Sequence, residues 1–170
     1  MARALIGADI ESTAGGVLVR GRVIETEAYL GIDDPASHAF RGRRHAGNQG
    51  IYSAPGSWYV YRSYGIHWCA NLVTGPSGLG AAVLLRAIVI ESGLEVAARR
   101  RPGVPQARYS DGPGKLCQAL GIDRALDGTR MADSTVRLAP RALVEGVVIT
   151  PRVGISKAVD WPLRKLCTSA

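Results

Sequence analysis

The chain has 170 residues, 46% of them hydrophobic, which suits one compact domain with a real core rather than two. Its 21 Lys and Arg against 14 Asp and Glu give a formal net charge of +7, a balance that favours an anionic partner, nucleic acid before an acidic membrane surface. No apolar run approaches the roughly 20 residues a bilayer span needs and no N-terminal segment reads as a signal peptide, so a soluble, cytoplasmic protein with no membrane partner is expected.

The first element expected is a strand from about Val17 to Tyr29, closing in Glu25-Thr26-Glu27-Ala28-Tyr29. A period of two puts Val23, Glu25, Glu27 and Tyr29 on one face and Ile24, Thr26 and Ala28 on the other. The carboxylates then form either an exposed acidic strand end or a group held at a cleft beside an aromatic wall. In the second case partial desolvation raises the proton affinity of the carboxylate, as general-base chemistry requires. A loop from Gly31 to Gly56 carries the basic run Arg41, Arg43, Arg44 and His45, either a solvated loop or a track for phosphates. Strands from Trp58 to Ser63 and from His67 to Val73 follow, joined through Tyr64-Gly65 in a tight turn. Gly78-Leu79-Gly80 reads as a hairpin tip, and Ala81 to Ile90 as a central strand interrupted by Arg86.

A helix is expected over Glu91 to Arg101, ending in three arginines, then a mobile loop over Arg101 to Asp111. A short helix, Lys115 to Leu120, begins after Gly112-Pro113-Gly114, and Thr135 to Val153 returns to strand pattern, ending in Val147-Val148-Ile149. The sum is α+β: a single mixed domain over residues 1–170, with a curved antiparallel sheet, a protruding β-hairpin and a few helices.

Cys69, Cys117 and Cys167 are scattered, odd in number and without a C-x-x-C pair, and His38, His45 and His67 lack metal-binding spacing. No metal, disulfide or cofactor is expected. Gly112-Pro113-Gly114-Lys115 is not a nucleotide-binding loop, because Tyr109 and Leu116 stand where that motif needs glycine and a hydroxyl. It is either an ordinary glycine-rich cap or a helix start that holds one backbone phosphate with Lys115. Trp58, Tyr59, Tyr61, Tyr64 and Trp68 place five large rings in eleven positions of a chain with ten aromatics. The two indoles suit core packing, and Tyr59 and Tyr61 share a strand face. Tyr64, beside a turn glycine, suits stacking or wedging between bases. Asn71 and Arg86 interrupt apolar strands and must find partners there.

Taken together these residues resemble the alkyladenine (3-methyladenine) DNA glycosylase family of monofunctional base-excision enzymes. The matching pieces are Val23-Ile24-Glu25-Thr26-Glu27-Ala28-Tyr29, Asp34-Pro35-Ala36-Ser37-His38, Trp58-Tyr59-Val60-Tyr61 with Tyr64-Gly65, Cys69-Ala70-Asn71, Val83-Leu84-Leu85-Arg86-Ala87, and Gly112-Pro113-Gly114-Lys115-Leu116-Cys117-Gln118-Ala119-Leu120. They keep family order and near-family spacing over about residues 16–122. The resemblance implies that Glu27 is the base that orients water and that Tyr29, His38 and Tyr61 wall the pocket for a flipped base. It implies that Asn71 helps exclude the guanine amino group, that Tyr64 is the wedge, and that Arg86 and Lys115 contact the nucleic-acid backbone.

The implied activity is hydrolysis of the N-glycosidic bond of alkylated or deaminated purines, of the 3-methyladenine, hypoxanthine and ethenoadenine type, by a monomer acting on double-stranded DNA. Two places depart from the family pattern: Arg44-His45-Ala46-Gly47-Asn48, where relatives carry Thr-Pro-Arg-Asn, and a C-terminus without the aromatic that often closes the last strand. The rival reading is a non-catalytic module that binds damaged duplex and releases no base. Glu27 favours the enzyme, since a passive binder gains nothing from a carboxylate close to phosphates.

Overall fold

The computed structural model describes residues 1–141 and 146–168. Eight strands form one curled antiparallel sheet: β1 (Asp9–Ser12), β2 (Val19–Tyr29), β3 (Trp58–Ser63), β4 (His67–Thr74), β5 (Ala81–Ser92), β6 (Val136–Ala139), β7 (Val147–Thr150) and β8 (Arg164–Cys167). The main path runs β3-β4-β5-β2-β1-β6, and β8 joins β2 to β7. The helices are α1 (Ala2–Leu5), α2 (Leu94–Arg100) and α3 (Pro113–Leu120). This is the mixed α+β architecture expected, with two four-residue elements at the start, α1 and β1, too short to announce themselves.

The long strand β2 organises the sheet. One edge pairs with β5 throughout, while the other pairs first with β1 (Val19 to Arg22) and then with β8 (Glu25 to Glu27). At the changeover the register with β5 slips twice: Ile24 is unmatched on β2, and Arg86 is unmatched on β5. A bulge turns every later side chain to the opposite face. Val23 therefore does not share a face with Glu25, contrary to the simple alternation. Val23, Ile88, Leu85 and Val83 belong to the main core, with Ala28 packed against it, while Thr26 donates to Ala2 O beneath α1. Glu25, Glu27 and Tyr29 turn to the other face.

That main core lies between the sheet and its helices, with Trp58, Leu85, Leu116 and Leu120 fully buried. The Trp58 indole N–H is satisfied by Val136 O at 3.0 Å. On the other face a smaller core of Ala39, Ile51, Tyr52, Tyr59, Val73 and Ala82 seats the Gly31 to Gly56 loop. Gly80, in the β4–β5 turn, has φ +70 and no room for a side chain, since an added Cβ would meet Ala39 Cβ at 2.4 Å. Asn48, fully buried, holds the divergent part of the loop, donating to His38 O and Arg43 O and accepting from His45 N.

Other expectations shift at the edges. β5 continues to Ser92, so the helix starts after Gly93 rather than at Glu91. The Arg101 to Asp111 loop is tied to β5 through Ser110, whose hydroxyl donates to Ile88 O at 2.7 Å. The strand pattern expected over Thr135 to Val153 resolves into β6 and β7, with residues 142–145 outside the described residues, as are 169–170 of the C-terminus. Two of the three clustered arginines act within the fold: Arg100 donates to Ala119 O and Ala14 O, and Arg101 to Gln118. Among the described residues no helix is long and apolar enough to cross a membrane.

Candidate active site

Antiparallel pairing sets four side chains in a row across the sheet: Tyr59 on β3, Asn71 on β4, Leu84 on β5 and Glu27 on β2 stand directly opposite one another. The neighbouring rows bring Tyr61 and Tyr29 to the same face, over which the Gly31 to Gly56 loop lays His38. The result is a cleft of about 510 Å³, walled by Tyr29, His38, Tyr59, Tyr61 and Asn71 and bordered at its mouth by Arg43, His45, Arg62, Tyr64 and Lys157. That volume suits a small ligand of a few rings.

Glu27 is fully buried beside this cleft, behind Tyr29, and its hydrogen-bond partners among the described residues are all donors. Tyr29 OH lies 3.0 Å and Arg86 Nη1 3.3 Å from Oε2, while the backbone N–H of Val153 lies 2.9 Å from Oε1. Three donors leave the carboxylate oxygens with lone-pair capacity for one further donor. Arg86, the bulge residue, also donates through Nε to Glu25 Oε1 at 2.6 Å, which Arg164 Nε on β8 meets from the other side at 2.6 Å. Burial works against the charge of Arg86, and Glu27 and Glu25 outweigh it, so the guanidinium is held charged. The structure thus turns Arg86, expected at the nucleic-acid backbone, inward onto two carboxylates.

The rings are ordered against one another. Tyr59 and Tyr61 stack at 5.4 Å with 27° between planes, and His38 meets Tyr61 edge-on at 4.4 Å. His38 Nδ1 is 2.7 Å from Tyr59 OH. Burial, with His45 and Arg43 nearby, pushes the imidazole below its ordinary value, so it is neutral at pH 7. Burial also pushes the hydroxyls of Tyr29, Tyr59 and Tyr61 upward, keeping all three protonated. Asn71 is buried, spending its amide N–H groups on Tyr59 O at 3.1 Å and Cys69 O at 3.4 Å, and among the described residues its carbonyl oxygen accepts no bond.

At the rim the β3–β4 hairpin presents Tyr64, 89% exposed, with Ile66 also exposed. Tyr64 has φ 49 and Gly65 φ 67, the paired left-handed conformation of a type I′ turn. The start of α3 abuts this hairpin, since a side chain at Gly114 would meet His67 Cβ at 2.7 Å. Lys115 in that first turn is partly exposed and bonded to Asp111 at 2.7 Å.

Sequence reasoning missed one wall. The segment 151–163 contributes Gly154, Ile155, Ser156 and Lys157 to the cleft and the Val153 N–H to Glu27. It is anchored by Arg152, which forms a bidentate pair with Asp34 (Nη1 to Oδ2 at 2.5 Å, Nη2 to Oδ1 at 2.9 Å), both side chains wholly inaccessible. Burial works against the Asp34 charge, but bonds from Arg152 and from the N–H groups of Leu30 and Ala36 outweigh it and hold the carboxyl below its usual range. Removing two charges from water costs several kcal/mol each, offset here by the bidentate pair and the bond from Arg152 Nη1 to Ala28 O, while the buried Arg152 Nε has no partner among the described residues. Asp34 stood in a recognisable motif, but nothing near it in sequence announced a partner 118 residues away.

The chain matches known proteins over nearly its whole length. The family model for methylpurine-DNA glycosylase matches residues 1–169. A protein of Nitrosospira multiformis is 44% identical over 96% of this chain and 82% of its own length. One from Agrobacterium fabrum is 45% identical over 96% and 80%, and one from Methanoculleus marisnigri 44% over 87% and 79%. All three carry the name "Putative 3-methyladenine DNA glycosylase". With a fold of the expected class and this breadth of match, the chain belongs to the methylpurine-DNA glycosylase family of DNA repair enzymes.

Proposed function

We propose that this glycosylase hydrolyses the N-glycosidic bond of alkylated or deaminated purines in duplex DNA, drawing the damaged nucleotide out of the stack and into the aromatic cleft. The observation that carries the reading is the fully buried Glu27 carboxylate beside a cleft walled by three tyrosines and a histidine. Cleavage leaves positive charge on the sugar, and a carboxylate near C1′ both stabilises that charge and takes the proton of the attacking water. Tyr29, Arg86 and the Val153 N–H aim Glu27 and leave it that single task.

The electron-rich faces of Tyr29, Tyr59 and Tyr61 suit an alkylated, cationic purine, and a neutral His38 adds no opposing charge. The unbonded carbonyl of Asn71 offers an acceptor at the base edge. Tyr64 fills the gap the extruded nucleotide leaves in the duplex. Lys115 with the start of α3, and the mouth residues Arg43, Arg62 and Lys157, meet the phosphates. Arg86 acts on Glu27 rather than on the backbone. All these groups belong to one chain, so a monomer without a cofactor suffices on this reading, and its DNA substrate suits a cytoplasmic location. Incubation with duplexes bearing one hypoxanthine or one 3-methyladenine is expected to release free base and leave an alkali-labile site. Tight lesion binding with no release at all would favour the non-catalytic reading instead.

A further inference from the structure

We propose that the buried Asp34–Arg152 pair is a positioning latch: it pins segment 151–163 so that the Val153 N–H bears on Glu27 and residues Gly154 to Lys157 close the cleft. The inference rests on the reading of Glu27 as the base. Between Thr150 and Arg164 the chain enters no strand. Among the described residues its polar ties to the sheet and the neighbouring loop are few: Arg152 to Asp34 and to Ala28 O, Val153 N to Glu27, Leu163 O from Ala28 N, and Pro162 O from Lys165 Nζ.

Arg152 dominates these. Its guanidinium also lies over the Tyr29 ring at 4.7 Å, and that tyrosine donates to the same carboxylate. Asp34 lies near the start of the loop that carries His38 four residues later, so one ion pair couples both irregular walls of the cleft to the strand that bears the base. An apolar side chain could hold a loop down as firmly as a buried ion pair does. What the pair adds is direction, because a planar fork on a carboxylate fixes plane as well as distance. The next peptide N–H is the one aimed at Glu27 Oε1.

The test compares wild type with Asp34→Asn, Arg152→Met and the double variant. Each is assayed by single-turnover base release from a hypoxanthine-bearing duplex at saturating enzyme, by thermal melting, and by amide exchange across residues 151–157. Each single variant leaves a buried group unpaired, and both melting temperature and release should fall, the rate by about tenfold or more. The double variant restores a neutral, packed site and should regain most of the melting temperature, while release stays about tenfold or more below wild type and the Val153 amide exchanges faster. Recovery of rate together with melting temperature, or unchanged exchange at Val153, would overturn the latch. A wild type that releases no base contradicts the glycosylase mechanism instead, and the exchange measurement then decides the latch alone.

Discussion

Tyr29 donates its hydroxyl to Glu27 Oε2 over 3.0 Å, two residues along a strand whose bulge has turned both side chains away from the core. Burial first and the Glu27 charge second push the tyrosine well above its ordinary value, so the proton stays on it through any practical assay range. Tyr29→Phe keeps the ring wall and deletes the donor. A hydrogen bond to a charged group contributes about 1.5–3 kcal/mol, so base release should fall roughly tenfold to a hundredfold while lesion binding holds. Wild-type release by the Phe variant would mean that this bond does not aim the carboxylate.

His38 gives a pH dependence of known sign. Its folded value lies below the free imidazole value of about 6.5, so it is neutral at pH 7 and gains charge only as pH falls below that point. A cation appearing in the cleft repels a cationic purine and leaves hypoxanthine unaffected. As pH falls below about 6.5 and the imidazole gains its proton, affinity for a cationic lesion should drop relative to hypoxanthine, and His38→Gln should abolish the difference. Binding titrations in a Glu27→Gln background read this without turnover. Parallel pH curves for the two lesions across the range in which the His38 imidazole is seen by NMR to titrate would place His38 away from the bound base.

Tyr64 occupies a left-handed conformation, φ 49, that costs a bulky residue about 1–2 kcal/mol and suits asparagine before the following glycine. Strain retained at an exposed tip points to use. Tyr64→Asn should therefore raise the melting temperature slightly while weakening retention of the flipped lesion, read by 2-aminopurine fluorescence beside it. A variant that melts earlier and flips normally would make Tyr64 structural.

The basic surface divides in the same way. Substituting Lys115 or Lys157 by Ala should reduce the log-log salt slope of duplex binding by about one each. Arg100→Ala should lower the melting temperature and leave the slope alone, because that guanidinium is spent on Ala119 O and Ala14 O. An unchanged slope in both lysine variants would move the phosphate track elsewhere.

The strands were legible because burial writes itself into apolar runs: β3, β4 and β5 sit where Val, Ile and aromatic residues cluster. The simple alternation failed at Ile24, because a bulge is set by pairing with a distant strand and leaves no local mark. Glu27, Tyr29, His38, Tyr61 and Asn71 were named through a resemblance carried by local motifs; the sheet register and the loop place Tyr29, His38, Tyr61 and Asn71 on one cleft, with Glu27 buried behind Tyr29. Arg86 was legible as a charge in an apolar strand, but not its direction, which the second bulge decides. Arg152 and the Val153 N–H were not legible, since their partners lie 118 and 126 residues away in an irregular segment.

The most direct test of the account replaces Glu27 by Gln, which keeps shape and burial and removes proton acceptance. In single-turnover assays on a hypoxanthine-bearing duplex, Glu27→Gln should bind the lesion as wild type does and release base at least about 10²-fold more slowly. Near-wild-type release would contradict the central claim that this buried carboxylate is the base.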